Sequence, residues 1–336
     1  MTLTSGADQG QARPGSGDGS VSGTPWSAIV KRFSIQQLVP FLALIILFTL
    51  FTVLKGGTFI APSNLLVVAQ QSVVLAIVAF GMTFVIVSGS IDLSVGSVVG
   101  LSCVVTALVG INNLALGLIV GPLVGIVCGL INGVVFNYAK IPSFIVTLGM
   151  LQVARGITIV ISNGTAQPMP SVGLLADIGV MPMILVAFIV FAVLSAILFN
   201  YTIFGRRVRA IGGNERVATL AGVPTGRTKI GAFVFCGLMA GIGGMVLASR
   251  LGTGSPVAGT GFELDVIAAV VIGGTPLTGG LGRISGTVVG ALIMSMLANG
   301  LVLLGVDSAS QTIVKGIVLT LAVFVSLDRS KIGIIK

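Results

Sequence analysis

Roughly ten long apolar stretches constrain the fold of this chain more than any other feature of its sequence. They lie at about 38–54, 65–88, 95–111, 114–138, 141–162, 179–203, 230–249, 263–277, 285–305 and 312–327. A helix of about 20 apolar residues crosses the ~30 Å hydrocarbon core of a bilayer, whereas the strands of membrane barrels are about 10 residues long and alternate in polarity. The sequence therefore predicts an all-α polytopic membrane protein with about ten transmembrane helices.

The composition excludes several other classes of protein. Only 8% of the 336 residues are charged, compared with about 25% in soluble domains, so a soluble enzyme, a disordered protein and a coiled coil are excluded. The chain has no His, and its three Cys lie inside apolar stretches without a CxxC spacing. We therefore expect no metal site and no catalytic residue.

The formal net charge of +9 is explained by membrane topology and needs no nucleic-acid partner. With the N-terminus in the cytoplasm, most Lys and Arg fall on the cytoplasmic side, as the positive-inside rule predicts. The exceptions are Lys55 and Arg250, which fall outside, and Arg155 and Lys315, which lie inside apolar stretches. Both termini are then cytoplasmic. The predicted domains are a disordered N-terminal tail (1–33), a transmembrane domain (34–330) and a short C-terminal tail (331–336).

Ten helices divide into five plus five, and the second five would then enter the membrane from the opposite side, as in many transporters with inverted repeats. The sequence similarity between the two halves is weak: Gly125 and Gly129 with Asn132 resemble Gly286 and Gly290 with Asn299. A repeat and an unrepeated bundle both stay open. Glycines spaced four residues apart do predict close helix packing.

Charged residues inside or beside the apolar stretches are few, and each is costly in hydrocarbon. Asp92 follows the second stretch, where it either caps the third helix or serves as a conformational or pathway group. Arg155 and Lys315 are expected to reach the outer interface or to pair with an acidic group. Glu263 and Asp265, at the outer end of the eighth stretch, are available partners. A proton relay is disfavoured because His is absent and acidic residues are scarce.

The longest cytoplasmic loop, 204–229, contains the signals of a short helix. Asn214 can cap it, Glu215 suits its first turn and Gly222 stops it. A helix of about two turns does not persist alone in water. Its small apolar face consists of Val217, Leu220 and Ala221. The loop is either a docking element for a partner or a solvated, positively charged topology signal.

The chain has no nucleotide-binding motif. The run 222–228 lacks the spacing and the lysine of a P-loop, and the run 280–286 departs from GxGxxG by one residue. If ATP drives transport, a separate chain must bind it together with Mg²⁺, and we expect no cofactor in this chain.

Several ordered stretches resemble one family, the sugar permeases of bacterial ABC importers of the ribose, xylose, arabinose and galactose type. These stretches are GSIDLSVGS (89–97), PSFIVTLG (142–149), GR (205–206) with AIGGNE (210–215), AGTGFELDVIAAVVIGG (258–274), GGLGR (279–283) and IVKG (313–316). The resemblance covers about 38–330, and the run 258–283 is most similar to the ribose-type members. Ser90 departs from the glycine usual in this family.

This resemblance implies a permease, not an enzyme, in the bacterial inner membrane. Its expected partners are an ATP-binding subunit, a second permease copy, identical or not, a periplasmic sugar-binding protein and membrane lipid. The cytoplasmic loop then corresponds to the segment that couples to the ATPase. The coupling candidates are Gly205, Arg206, Asn214, Glu215, Val217, Ala218, Leu220, Ala221 and Gly222.

The expected activity is ATP-driven import of a monosaccharide that the binding protein delivers. An ion-coupled secondary sugar transporter is the alternative, and it would need an ion site at the membrane midplane. The gating or pathway candidates are Asp92, Asn132, Thr147, Arg155, Glu263, Asp265, Asn299 and Lys315. The polar residues among them are equally compatible with hydrogen bonds that hold helices together.

Overall fold

A computed structural model describes residues 35–326. The two predicted tails and residues 327–330 lie outside this part of the chain. Its helices are α1 Ile35–Lys55, α2 Gly57–Ile60, α3 Pro62–Val87, α4 Val95–Gly110, α5 Leu114–Ala139, α6 Ser143–Ser162, α7 Leu174–Asp177, α8 Met183–Tyr201, α9 Ile203–Gly213, α10 Glu215–Leu220, α11 Thr225–Leu251, α12 Phe262–Ile272, α13 Ile284–Leu303 and α14 Ser308–Ser326. Two short strands, β1 Gln167–Pro168 and β2 Thr253–Gly254, pair antiparallel.

Six of these helices, α3, α5, α6, α8, α11 and α13, are long and apolar enough to cross a membrane. Shorter apolar helices lie at Val39–Lys55, Val95–Gly110 and Ser308–Phe324. This confirms the all-α polytopic class. The helices α3, α11 and α13 are buried over most of their length, whereas α5, α6 and α8 are largely exposed, so the first three are the innermost of these six. The shorter helix α4 is also buried over most of its length.

The predicted close packing at the glycine stripes is confirmed where α5 crosses α11. A Cβ added to Gly125 would overlap the backbone carbonyl of Gly237, and one added to Gly241 would meet the carbonyl of Gly121. The two backbones therefore touch. The helices α12 and α13 meet in the same way, because a Cβ on Gly290 would overlap the carbonyl of Ala269. Small residues allow such approach where lipid supplies no hydrophobic force between helices.

The predicted eighth span, 263–277, is wrong at its C-terminal end. Helix α12 ends at Ile272, because Gly274 adopts φ +91° and the amide of Thr275 donates back to the carbonyl of Val270 at 3.2 Å, the pattern of a glycine-terminated helix. Hydropathy alone does not show where this helix ends, because the apolar run continues past the glycines to Leu277. With 11 residues, α12 is shorter than a full crossing requires.

Candidate functional site

The cytoplasmic loop of the sequence analysis folds into two consecutive helices, α9 and α10, which we call the docking segment (202–222). The Thr202 hydroxyl accepts a hydrogen bond from the amide of Gly205 at 3.2 Å and caps α9. The Asn214 side chain accepts one from the amide of Val217 at 3.1 Å and caps α10, as the sequence predicts. Gly222, at φ +79°, ends the segment.

Aromatic stacking and apolar burial hold α9 against the bundle. The ring of Phe204 stacks on Phe84 of α3 with 5.7 Å between centroids, and Val208 and Ile211 are almost fully buried. The guanidinium of Arg209 lies 5.1 Å from the ring centroid of Phe199, within the range of a cation–π contact. This helix is thus a fixed part of the helical bundle and not a free loop.

An ion pair and one buried methyl group hold α10. Lys229 at the start of α11 contacts Glu215 with 2.6 Å between Nζ and Oε2, and the lysine side chain is only 9% exposed. The same ammonium group lies 5.2 Å from the ring centroid of Phe136. Ala218 points inward and is 4% exposed. The first turn of α10 therefore keeps a defined orientation.

The opposite face of α10 is apolar and exposed. Val217 is 59% exposed and Leu220 is 82% exposed, and Ala221 is exposed beside them. The arginines Arg206 and Arg207 on α9 are exposed as well. A rigidly held helix that presents an aliphatic face among cations suits a groove with an apolar floor and an acidic rim.

Asp92 lies in the connection between α3 and α4 and is 1% exposed. Its Oδ1 accepts from the amide of Ser94 at 2.9 Å and from the hydroxyl of Ser94 at 2.6 Å. Ser94, the residue before α4, has helical φ and ψ and makes no side-chain capping bond. Asp92 forms the turn before the helix and there accepts the amide hydrogen bond that a capping side chain accepts, so this geometry supports the expected capping role. Burial raises the pKa of the Asp92 carboxyl, and the bonds from Ser94 oppose part of that rise.

The charged residues on α6, α12 and α14 are bonded in two different ways. Lys315 pairs with Asp265 at 2.7 Å, as expected. Arg155 does not bond to a carboxylate but donates to the carbonyls of Pro256 and Ala258, each at 3.0 Å. The loop before α12 supplies these acceptors, so backbone carbonyls bind one nitrogen of the guanidinium.

Three polar candidates take part in contacts between helices or loops. Asn299 exchanges hydrogen bonds with Asn64 at 2.9 and 3.1 Å, joining α13 to α3. The amide nitrogen of Asn132 donates to the Ser94 hydroxyl at 2.9 Å, while its Oδ1 is buried without a hydrogen bond in the described residues. Thr147 accepts from the amide of Leu93 at 3.1 Å. These contacts are those of residues that hold helices and loops together, one of the two roles expected for them.

Most of the candidate residues lie along the first turns of α4. Asp92, Asn132 and Thr147 surround its start, and Glu263 and Arg155 lie against Gly96 and Gly100 of the same helix. Asp265 pairs with Lys315 of α14. Asp265 also lines a cavity of about 200 Å³ with Gln71, Arg250 and Ser295. Sequence reasoning missed Asn64, although a lone amide at the start of an apolar stretch is a usable signal.

Comparison with known proteins identifies the relatives of this chain. Residues 64–325 match the family described as the permease component of the branched-chain amino acid transport system. The ribose import permease protein RbsC of Bacillus subtilis (strain 168) is 41% identical over 309 residues, which cover 88% of this chain and 94% of that protein. RbsC of Escherichia coli (strain K12) is 41% identical over 84% of this chain and 91% of its own.

A second kind of relative transports another pentose. The xylose transport system permease protein XylH of Escherichia coli (strain K12) is 35% identical, and the match covers 88% of this chain and 92% of that protein. None of the solved structures matches the chain.

Proposed function

The chain belongs to the family of permease components of the branched-chain amino acid transport system, and we propose that it is the membrane subunit of an ATP-driven sugar importer. The relatives named for ribose import and xylose transport are 35–41% identical over most of their length. A monosaccharide of the ribose type is therefore the proposed substrate, moved into the cytoplasm after delivery by a periplasmic binding protein. The chain is a transport subunit and not an enzyme.

The docking segment is the observation that carries the energetic part of this proposal. Leu220 is 82% exposed on a helix whose cap, ion pair and buried Ala218 fix its direction. Burying a leucine side chain is favourable by about 1.5 to 3 kcal/mol relative to leaving it in water, and an exposed Leu220 lacks this stabilisation. A cytosolic ATPase that receives the face formed by Val217, Leu220 and Ala221 recovers this free energy. ATP and Mg²⁺ then belong to that partner, because the sequence of this chain has no P-loop.

We further propose that the chain lies in the bacterial inner membrane with ten membrane segments in two inverted halves. Both termini would then lie on the cytoplasmic side. The first half comprises α1, α3, α4, α5 and α6, and the second comprises α8, α11, α12, α13 and α14. Matching pairs of packed helices support this division. If α3, α4, α5 and α6 are exchanged with α11, α12, α13 and α14, each packed pair becomes another packed pair. The pair α5–α11 becomes α13–α3, α4–α11 becomes α12–α3, α4–α5 becomes α12–α13, and α4–α6 becomes α12–α14.

The helices α6, α8 and α14 carry many exposed aliphatic side chains, which suit lipid on one side and a second permease copy on the other. We propose that the path runs along α6 and α14, because the partly exposed cations Arg155 and Lys315 lie on these two helices. Glu263 and Asp265 would stand near its outer end. Asp92 is proposed to form the turn before α4 and to cap its first amide through the bonds from Ser94.

The test replaces one exposed side chain of α10. Leu220→Asp places an uncompensated charge in the proposed apolar groove, which is strongly unfavourable, and we expect loss of ATPase co-purification and of sugar-stimulated hydrolysis. Thr219→Asp is the matched control, since it adds the same charge on the opposite side of α10. Both variants should insert normally. Wild-type levels of both measurements in Leu220→Asp would contradict the docking role.

The same reconstituted system separates the proposal from an ion-coupled carrier. Vesicles that contain the permease and its ATPase should take up sugar only when ATP and loaded binding protein are both supplied. Uptake driven by a proton or sodium gradient without the ATPase would overturn the importer assignment.

A further inference from the structure

Three backbone segments that are far apart in the sequence meet at one end of the bundle. The amide of Gly280, in the loop 273–283, donates to the carbonyl of Val87 at 2.9 Å. Val87 is the last residue of α3, and the carbonyls of the last helical turn have no partner inside their own helix. The loop that precedes α13 therefore completes the end of α3.

The third segment is the C-terminal end of α9, which contributes Gly212. A Cβ on Gly212 would overlap the carbonyl oxygen of Val87 and the amide nitrogen of Gly280. Both are backbone atoms, which cannot move away as the end of a flexible side chain can. Only glycine allows the docking segment to approach this closely.

The loop is shaped for the same contact. Gly279 and Gly280 have φ values of +81° and +79°, a region that side chains with a Cβ rarely adopt. A Cβ on Gly279 would lie 3.2 Å from the carbonyl oxygen of Gly212, and one on Gly280 would lie 3.1 Å from Cα of Gly213. We call the contact of Gly212 with Val87, Gly279 and Gly280 the glycine junction.

We propose that Gly212 is a positioning residue for transport, because the glycine junction ties the docking segment to the ends of α3 and α13 at once. This inference rests on the proposed function. A displacement that the ATPase imposes on the docking segment reaches the first proposed half through Val87 and the second half through Gly280. Packed backbone does not deform continuously, so the three segments move together.

A movement of the junction would displace the segments that follow it in the chain. Val87 leads into the connection that holds Asp92, and the loop 273–283 leads into α13. On the docking segment itself, Val208 and Ile211 are 0% and 2% exposed, so α9 has little freedom to rotate independently. The junction is therefore stiff on all three sides.

The matched pair Gly212→Ala and Gly213→Ala tests this inference. Gly213 is the next residue of the same helix, and a Cβ there meets no atom within 4 Å. Both substitutions raise helix propensity by a similar amount, so they differ mainly in the junction. Each variant is reconstituted with the ATPase and the sugar-loaded binding protein.

We expect Gly212→Ala to co-purify with the ATPase, because the exposed face formed by Val217, Leu220 and Ala221 is unchanged. Sugar uptake and stimulated hydrolysis should fall about tenfold or more, while Gly213→Ala stays within about twofold of wild type. Equal behaviour of the two variants, both active or both impaired, would overturn the inference.

Hydrogen exchange on the wild-type complex provides a second measurement, which decides the question if Gly212→Ala does not accumulate. The Gly280 amide should stay protected both at rest and in a vanadate-trapped state. Loss of its protection in the trapped state, with the docking segment still bound, would contradict a junction that moves as a unit. A wild-type complex without any stimulated hydrolysis would instead contradict the proposed function.

Discussion

Lys315 on α14 and Asp265 on α12 are joined by an ion pair of 2.7 Å, in which neither side chain is more than 26% exposed. Only one oxygen of the carboxylate is used. The other, Oδ1, is buried without a hydrogen bond in the described residues. Removing one partner of such a pair leaves a charge without compensation, whereas removing both is much milder.

We expect Lys315→Met alone to lower the free energy of unfolding by about 3 kcal/mol, the low end for buried pairs because some exposure remains. Asp265→Leu alone should be similarly harmful. The double variant should recover most of the loss, since no isolated charge then remains. Thermal unfolding of the four proteins in one detergent measures this coupling. Additive losses in the double variant would show that the pair is not the stabilising unit.

Asp92 gives a prediction about charge. Asp92→Asn keeps an acceptor oxygen for the amide of Ser94, so we expect near-normal expression and uptake. Asp92→Ala removes the acceptor and should cost ~0.5 to 2 kcal/mol. Equal loss of uptake in both variants would indicate a role for the carboxylate charge and would contradict the turn-forming role.

The pH dependence of the same variants follows from the raised pKa of the Asp92 carboxyl. A carboxyl group whose pKa is higher in the folded than in the unfolded protein favours the folded state when it is protonated. Its contribution to stability is complete at a pH below the ordinary Asp pKa of 3.8 and is lost as the pH rises through the raised pKa. Asp92→Asn has no such loss. Its midpoint of thermal unfolding relative to wild type should therefore improve from acidic to neutral pH.

The sequence predicts local features well when one segment contains all the necessary residues. The cap at Asn214 and the stop at Gly222 are of this kind, and so are most boundaries of the apolar helices. The early end of α12 is harder, because Gly273 and Gly274 interrupt a run that hydropathy alone continues. The glycine stripes predict close packing but do not say which helix lies opposite.

Features that join distant segments could not be predicted. Asn64 and Asn299 find each other only after α3 and α13 pack. Gly212 and Gly280 lie in two separate stretches of the sequence, and their contact through Val87 depends on three separate elements. For Arg155 the sequence suggests the outer interface or a carboxylate, because it cannot show that a loop brings two carbonyls to the guanidinium.

The amide pair between Asn64 and Asn299 tests whether polar residues hold helices together or line the path. We expect Asn299→Ala to lower stability by about 0.6 to 1.7 kcal/mol, as interhelical hydrogen bonds in membranes do. Asn64→Ala should cost as much, and the double variant little more. The preference between ribose and xylose in an uptake competition should stay unchanged. An altered preference in Asn299→Ala alone would support a pathway role.

The contact of α5 with α11 gives the last prediction. Gly125→Ala places a methyl group where the carbonyl of Gly237 lies, so the two helices must separate along a contact that has no flexible side chain to absorb the change. We expect a loss of about 1 to 3 kcal/mol. Gly149→Ala is the control, since a Cβ there meets nothing within 4 Å and the added helix propensity favours folding by up to about 1 kcal/mol.

The two variants should therefore shift the midpoint of thermal unfolding in detergent in opposite directions. The substitution is identical in both, and both sites lie inside apolar helices, so differences in hydrophobicity or helix propensity cannot produce the contrast. It can arise only from what the new methyl group meets. A rise in the midpoint for Gly125→Ala would mean that α5 and α11 are not in backbone contact, and the crossing of these two helices would then need revision.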